Sequence, residues 1–175
     1  MEIRLSLNDI FTQDLAIDQD GQVLVADNGV GAVLVFESSG KLIRTIGNGK
    51  GTKQGQFKDL SAVAVAPNGD VVVADSRIQV FRPSGEFVRE IWPQGKGKGR
   101  YGGLACDANG FLLATRTEKA KSFIQVFRID GGEMYSSIDS HGSKMKRPTG
   151  LAVTNDRHLV VVDIASDCVR KYRYF

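Results

Sequence analysis

The sequence lacks the segments that mark membrane, secreted and disulfide-stapled proteins. Its longest apolar runs, 32–36 and 62–66, are five residues each, whereas a membrane-spanning helix needs about 20. The N-terminal residues contain no apolar stretch of the signal-peptide kind, and no asparagine stands in an Asn-x-Ser/Thr acceptor. Cysteine is scarce, with only Cys106 and Cys168, too few for a disulfide framework. We therefore expect a cytoplasmic protein that does not associate with membranes.

Proline is also scarce, at 4 residues. Apolar residues do not recur with a period of 3.6 over any stretch of a dozen residues, which argues against a helical solenoid. Glycine is abundant, at 20 residues without a triplet period, which indicates many tight turns rather than a collagen helix. With 42% hydrophobic and 25% charged residues, the composition is that of an ordinary globular domain. The length of 175 residues corresponds to about one domain.

The chain contains a repeat of about 40 to 50 residues, the period of propeller blades. The segments 15–21, 63–69, 104–110 and 151–157 each read apolar, alanine, apolar and then a short turn. Each is followed by further short β-branched or aliphatic runs separated by turns, which are strand signals. We predict an all-β protein, a single β-propeller domain over 1–175, with four-stranded blades near 15–46, 60–91, 104–138 and 150–175.

The recurring alanines predict which strand is innermost. Ala16, Ala64, Ala105 and Ala152 share one register of the repeat, and we expect them to point to the narrow axis where the blades converge. The last repeat stops after its third strand, and residues 2–6 resemble the fourth strand of the first repeat at 41–45. We predict that 2–6 is a closing strand for the last blade, which would hide two sheet edges.

The residues of the second repeat resemble a known family. Segments 55–60, 63–65, 68–75, 78–81 and 85–87 resemble an NHL repeat, while 147–153 and 168–174 resemble the last blade of tripartite-motif NHL proteins. That resemblance implies a six-bladed propeller in the relatives, against four blades in this chain. We accordingly expect the isolated chain to be either an open arc that self-associates to complete a ring or a fragment of low stability.

The same resemblance implies a function. Tripartite-motif NHL proteins are RING-type ubiquitin ligases whose propeller recruits RNA or protein substrates, and this chain contains no Cys/His spacing that would build a RING. We therefore expect a non-catalytic recognition module. The alternative is an enzyme of the six-bladed lyase or hydrolase type, with a metal in the central pocket.

Basic residues concentrate in the loops between repeats. Segments 47–59, 93–103 and 139–149 carry nine basic residues against two acidic ones, while the whole chain has a net charge of +3. In a blade these loops share one face with the turn between the second and third strands. The residues we expect to contact a partner are Lys50, Lys53, Lys58, Lys96, Lys98, Arg100, Tyr101, Arg116, Lys119, Lys121, Lys144, Lys146 and Arg147.

Two kinds of partner suit such a face, single-stranded RNA and an acidic protein surface. Tyr101, Phe57 and His141 lie in the same loops and have rings that stack on unpaired bases. For Phe57 the preferred interpretation is different, an anchor that packs its loop onto the next blade. Trp92, at a strand end, and the two cysteines are interpreted as packing residues.

The acidic residues that recur with the repeat have two interpretations. Asp27, Asp75 and Asp163 end the second strand of three blades, and the third blade has Arg116 instead. Ringed carboxylates hold cations, but an aspartate present once per blade favours capping of the following turn. With His141 and His158 as the only histidines, a catalytic zinc lacks its usual three ligands. We assign no catalytic residue, metal ligand or cofactor.

Overall fold

The computed structural model describes residues 11–92, 99–139 and 144–174, and the strands lie within that part of the chain. In chain order they are β1 (Thr12–Ile17), β2 (Val23–Asp27), β3 (Ala32–Phe36), β4 (Leu42–Ile46), β5 (Ala62–Val65), β6 (Val71–Ala74), β7 (Ile78–Phe81), β8 (Phe87–Ile91), β9 (Gly99–Cys106), β10 (Phe111–Glu118), β11 (Lys121–Arg128), β12 (Met134–Ile138), β13 (Pro148–Val153), β14 (His158–Asp163) and β15 (Cys168–Arg173). Across the described residues, no helix of the length and hydrophobicity needed to cross a membrane is found.

Each blade is an antiparallel meander whose strands pair in chain order. Three sheets have four strands, β1 to β4, β5 to β8 and β9 to β12, and β13 to β15 form a sheet of three. Gly21, Gly69 and Gly110 adopt positive φ angles of 75°, 87° and 79° at the turn between the first two strands of their blades, a conformation that glycine adopts without strain. The all-β propeller fold is thus confirmed. The predicted closing strand 2–6 lies outside the described residues.

The blades pack through their faces, with the first strand of each blade innermost. β1 contacts β5, β5 contacts β9, and β9 contacts β13. Ala16 and Ala64 belong to the apolar clusters between neighbouring blades. The expectation that these alanines point to the axis is therefore wrong for these two residues. Their small side chains instead let the innermost strands of consecutive blades approach each other.

The approach is tightest between the third and fourth blades. A Cβ atom added to Gly103 would collide with the carbonyl oxygen of Thr149, and one added to Gly102 would lie 2.7 Å from the carbonyl oxygen of Pro148. The atoms that these Cβ atoms would meet belong to the backbone of β13, which cannot move aside as a flexible side chain could. Glycine at these two positions is what allows β9 and β13 to lie side by side.

The described residues form an open arc. Among them, no packing comparable to that between consecutive blades joins β1 to β13, and each described apolar cluster spans one pair of consecutive blades. Leu15 on β1 is 63% exposed, whereas Val63, at the equivalent position of the second blade, is 2% exposed. The first blade thus keeps the β1 part of one face uncovered, with Leu15 and Ile17 exposed, and the last blade keeps Val162 and Val169 exposed on the other.

Candidate functional site

The candidate site is the loop face, which is the end of the arc that carries the loops between blades and the turns between second and third strands. Side chains of the second blade hold the first of these loops, 47–59, by hydrogen bonds. Arg77 donates from Nη2 to the carbonyl oxygens of Lys53 (2.7 Å) and Gln56 (3.2 Å), and its Nε lies 3.0 Å from Glu90. The Gln79 amide accepts a hydrogen bond from the Gly55 N–H at 2.8 Å.

An aromatic anchor completes the support of this loop. Phe57 is fully buried and packs against Phe81 with ring centroids 5.8 Å apart, which confirms its interpretation as an anchor rather than a stacking residue. Gly47, with φ of 105°, lies so close to this ring that an added Cβ would stand 2.6 Å from it. The backbone of 47–59 is fixed, and Lys50, Lys53 and Lys58 remain exposed on it.

The segment 144–147 is fixed by a buried carboxylate. Asp163 accepts hydrogen bonds from the backbone N–H groups of Lys146 (3.0 Å) and Arg147 (2.8 Å), and Arg170 Nε lies 3.3 Å from it. Burial alone would raise the pKa of Asp163, but the two N–H groups, the Ser166 hydroxyl and Arg170 together outweigh it and hold the pKa below its ordinary value. Lys146 is therefore exposed on a backbone that cannot move freely.

The equivalent aspartates act in the same way. Asp75 accepts from the N–H groups of Lys58 (3.1 Å) and Arg77 (2.9 Å), and Asp27 accepts from Gly29 at 2.6 Å. These bonds support the capping interpretation of the once-per-blade aspartate. In the ranges 11–92, 99–139 and 144–174, no group of three or more His, Cys, Asp or Glu side chains is arranged to hold a metal ion.

The described part of the loop face is rich in exposed cations. The exposed basic side chains are Lys50, Lys53, Lys58, Arg100, Lys119, Lys121, Lys144, Lys146 and Arg147. Exposed carboxylates on the same face are Asp59, Asp139 and Asp167. Lys96, Lys98 and His141 lie outside the described residues. Lys119 lies on the turn between the eight-residue strands β10 and β11, and Lys121 is the first residue of β11.

The opposite end of the arc has the reverse balance. The turns 18–22, 37–41, 66–70, 82–86, 107–110, 128–133 and 154–157 form this turn face. Its exposed acidic residues are Asp20, Glu37, Glu86, Asp130, Glu133 and Asp156, and its exposed basic residues are Lys41, Arg82 and Arg157. The charge asymmetry that the sequence predicted between the two ends is thus present in the described residues.

Two of the predicted contact residues are not accessible. Tyr101 is 2% exposed and Arg116 is 1% exposed. The Arg116 guanidinium lies 4.8 Å from the centre of the Tyr101 ring and donates to Glu118 Oε1 at 2.6 Å, so its charge is neutralised inside the blade. The expectation that Tyr101 stacks on bases and that Arg116 meets a partner is therefore wrong for the folded chain.

Trp92, for which the sequence predicts a packing role, is exposed instead. Trp92 follows β8 at the loop face and is 62% exposed, with Arg77 Cζ 5.9 Å from its ring. Its interpretation as inter-blade packing is wrong, because it lies one residue beyond the buried Ile91, where β8 ends. The signal in the sequence was its neighbourhood, a tryptophan directly ahead of the lysine-rich and glycine-rich segment 93–98.

The Cys106 thiol is expected to be unreactive. Burial, and secondarily the neighbouring Asp107 carboxylate, raise the pKa of Cys106 to about 12, so the nucleophilic thiolate is suppressed at neutral pH. Cys106 packs at the edge of the cluster between the second and third blades. This position agrees with the interpretation of the cysteine as a packing residue.

Comparison with known proteins defines the class as β-propeller. No protein-family model and no curated protein matches the sequence. Among solved structures, the chain is similar to virginiamycin B lyase from Staphylococcus aureus, with 18% identity and a TM-score of 0.70 over 97% of this chain and 57% of that one. It is also similar to the WD40 repeats of RRP9, with 12% identity and a TM-score of 0.73 over 96% of this chain and 52% of that one.

A streptogramin B lyase matches at 17% identity and a TM-score of 0.71, over 98% of this chain and 57% of that one. The chain thus spans little more than half the length of the propellers it matches. At these identities the likeness establishes the fold, a β-propeller that resembles part of larger propellers.

Proposed function

We propose that the loop face is a non-catalytic platform that binds single-stranded RNA. The observation that carries the proposal is the set of nine exposed cations on the loop face, five of which lie on segments held by buried side chains: Lys50, Lys53, Lys58, Lys146 and Arg147. Cations at fixed positions neutralise successive phosphates and release their counterions, which is the main source of affinity for a nucleic acid chain. The face opposite is acidic, so one end of the arc attracts a polyanion and the other repels it.

Trp92 favours RNA over an acidic protein surface as the partner. It is exposed at the edge of the cationic face, and base stacking on an aromatic ring contributes about 1–3 kcal/mol per base. An acidic peptide would meet the lysines but has no bases to stack. Lysine together with an exposed indole is the combination found in proteins that bind single-stranded nucleic acids.

The NHL-like sequence pattern supports the same proposal. It suggests that the chain serves as the recognition part of a larger assembly, comparable to the propeller that recruits substrates for tripartite-motif ubiquitin ligases. In this view the chain performs no chemistry and supplies the contact surface.

Fluorescence anisotropy with a labelled single-stranded RNA at several salt concentrations tests the proposal. The triple variant Lys50→Ala, Lys53→Ala, Lys58→Ala removes three cations from a loop whose backbone is held independently of them. The slope of log K against log salt should fall in magnitude by about 2, since each phosphate contact contributes about 0.7 for single strands. The matched control is Lys41→Ala, Arg157→Ala, Arg173→Ala, which removes the same charge from the other end of the arc and should leave the slope nearly unchanged.

Because the chain has a single tryptophan, intrinsic fluorescence reports directly on Trp92. RNA should quench it and polyglutamate should not. An equal loss of slope in both triple variants would refute binding at the loop face. Tight binding of polyglutamate that is lost in the loop variant, without RNA binding, would replace RNA by an acidic protein as the partner.

A further inference from the structure

The uncovered face of the first blade, which we call the head face, has buried counterparts elsewhere in the chain. Leu15 and Ile17 are each 63% exposed on β1. At the position of Leu15 the second blade has Val63, 2% exposed, and the third has Leu104, 6% exposed. An aliphatic side chain at this register is therefore built into a blade contact in the second and third blades and left in solvent in the first. The exposed part of the head face is its inner strand, since Val25, the strand partner of Leu15, is 5% exposed and Phe36 is 1% exposed.

The uncovered face of the last blade, which we call the tail face, shows the same contrast. Val169 on β15 is 65% exposed, and its equivalents Val33, Ile78 and Ile124 are all fully buried. Val162 on β14 is 41% exposed and lies beside Val169 in the paired strands. Five positions define this face, Ala152, Val160, Val162, Val169 and Lys171.

The chain itself shows what covers such faces. In the cluster between the first two blades, Leu24 and Val33 of the first blade pack against Val63 and Val73 of the second. Leu24 and Val33 are the equivalents of Val160 and Val169 on the tail face, and Val63 is the equivalent of Leu15 on the head face. A tail face is thus complementary to a head face, and the described arc leaves the tail face and the β1 part of the head face uncovered without joining them.

We propose that a second copy of this chain covers both faces, head to tail. The first blade of each copy lies on the last blade of the other, and the two identical junctions are related by a two-fold axis. Such a pair closes into one ring of eight blades, within the range of about 4 to 8 known for propellers. When a contact joins two different surfaces, no surface is left unpaired only if the assembly closes into a ring, as this pair does.

Lys171 sets the strength of the junction. It occupies the register of Val35, Val80 and Val126, which are buried between blades. In a junction its aliphatic stem covers apolar surface while its ammonium group reaches the rim. The junction is therefore weaker than the contacts within the chain, and association should depend on protein concentration.

Light scattering coupled to size exclusion tests the proposal on the full chain. The expected mass is twice 19.0 kDa at high concentration, falling toward 19.0 kDa on dilution. Leu15→Glu on the head face and Val169→Glu on the tail face should each abolish the closed dimer, because either change places a carboxylate in both junctions. Val30→Glu is the control, since Val30 is also an exposed valine (51%) but lies on the loop face, and this variant should dimerise normally.

Two further variants keep the test informative. An equimolar mixture of the Leu15→Glu and Val169→Glu proteins retains one intact head and one intact tail, so it should form a weak heterodimer that neither protein forms alone. Lys171→Val should lower the dissociation constant at least about tenfold by restoring the aliphatic residue of the other blades.

Three results would overturn the proposal. A wild-type chain that stays monomeric at its highest soluble concentration would exclude the junction. A dimer that survives both glutamate variants would use another surface. Growth into long polymers would show that the junction forms but does not close.

Discussion

Replacing Asp163 by asparagine tests how the loop face is held. The carboxylate is fully buried and receives the N–H groups of Lys146 and Arg147 on separate oxygens. An asparagine keeps one oxygen acceptor but turns an NH₂ group toward the other N–H. One charge-assisted hydrogen bond, worth about 1.5–3 kcal/mol, is lost, and Arg170, at 3.3 Å, loses its counterion.

We expect Asp163→Asn to reduce the free energy of unfolding by about 2–4 kcal/mol. With a urea m-value of about 2 kcal/mol/M, the midpoint should fall by about 1–2 M. Circular dichroism through a urea titration measures this shift. Asp167→Asn is the matched control, because it makes the same change at an exposed site in the same turn, where the φ of 48° suits asparagine, and surface changes of this kind stay within about 0.5 kcal/mol.

The pH dependence of unfolding shows how much of the effect comes from the charge of Asp163 and how much from the shape of its side chain. The pKa of Asp163 lies below its ordinary value of 3.8 in the folded state, so the folded chain binds this proton less readily than the unfolded chain. The ionised carboxylate contributes its full stability at pH values above the ordinary pKa. That contribution is lost as the pH falls through the lower pKa of the folded state. The stability gap between wild type and Asp163→Asn should therefore be constant from about pH 5 to 8 and narrow below about pH 4.

The same variant links stability to binding. Without the hydrogen bonds from its backbone to Asp163, segment 144–147 should become more mobile. RNA affinity should therefore fall although no basic side chain is removed. Equal urea midpoints for Asp163→Asn and Asp167→Asn would refute this role of the carboxylate. A stability gap that does not narrow in acid would show that shape rather than charge accounts for the cap.

Three further predictions follow from single contacts. Gly103→Ala should destabilise the chain by about 3 kcal/mol in urea unfolding, since its Cβ collides with the Thr149 carbonyl oxygen, while Gly150→Ala, whose Cβ would lie 3.7 Å from Val162, should be nearly neutral. Native protein at neutral pH should leave Cys106 unmodified by iodoacetamide, because its pKa is raised to about 12, and rapid labelling identified by mass spectrometry would contradict this. Tyr101→Phe should cost about 1–3 kcal/mol, since it leaves Gln125 Oε1, now 3.0 Å from the phenol oxygen, without that donor, and an unchanged urea midpoint would count against it.

The repeat made the strands predictable because each is encoded locally. Short apolar runs of β-branched residues, punctuated by glycine at turns such as Gly69, require a strand and a reversal whatever the neighbouring blade does. The fourfold recurrence then identified the blade and its innermost strand. The preferred roles of Phe57 and the once-per-blade aspartates were also predictable, because each is a relation between one loop and the blade beneath it.

The exposure of individual aromatic residues was not predictable in the same way. Tyr101 and Trp92 both stand near glycines and lysines in the sequence, yet one is buried and the other exposed. The difference arises in β9, which begins at Gly99 and pairs Tyr101 with Arg116. Because Gly99 has no side chain, the Arg116 guanidinium fits against it and covers the tyrosine ring.

The loop face and the blade junctions are structurally independent, and this separates the two proposals. The anchors of the loop face act between a loop and the next blade of the same chain, as Arg77 does for 47–59 and Asp163 does for 144–147. Leu15 and Val169 contribute nothing to those anchors. A Leu15→Glu monomer should consequently still bind RNA at the loop face, with the salt slope of one arc. If RNA binding vanished with the dimer, the platform would have to be assembled across the junction, and the anchors within one chain would not be sufficient to form it.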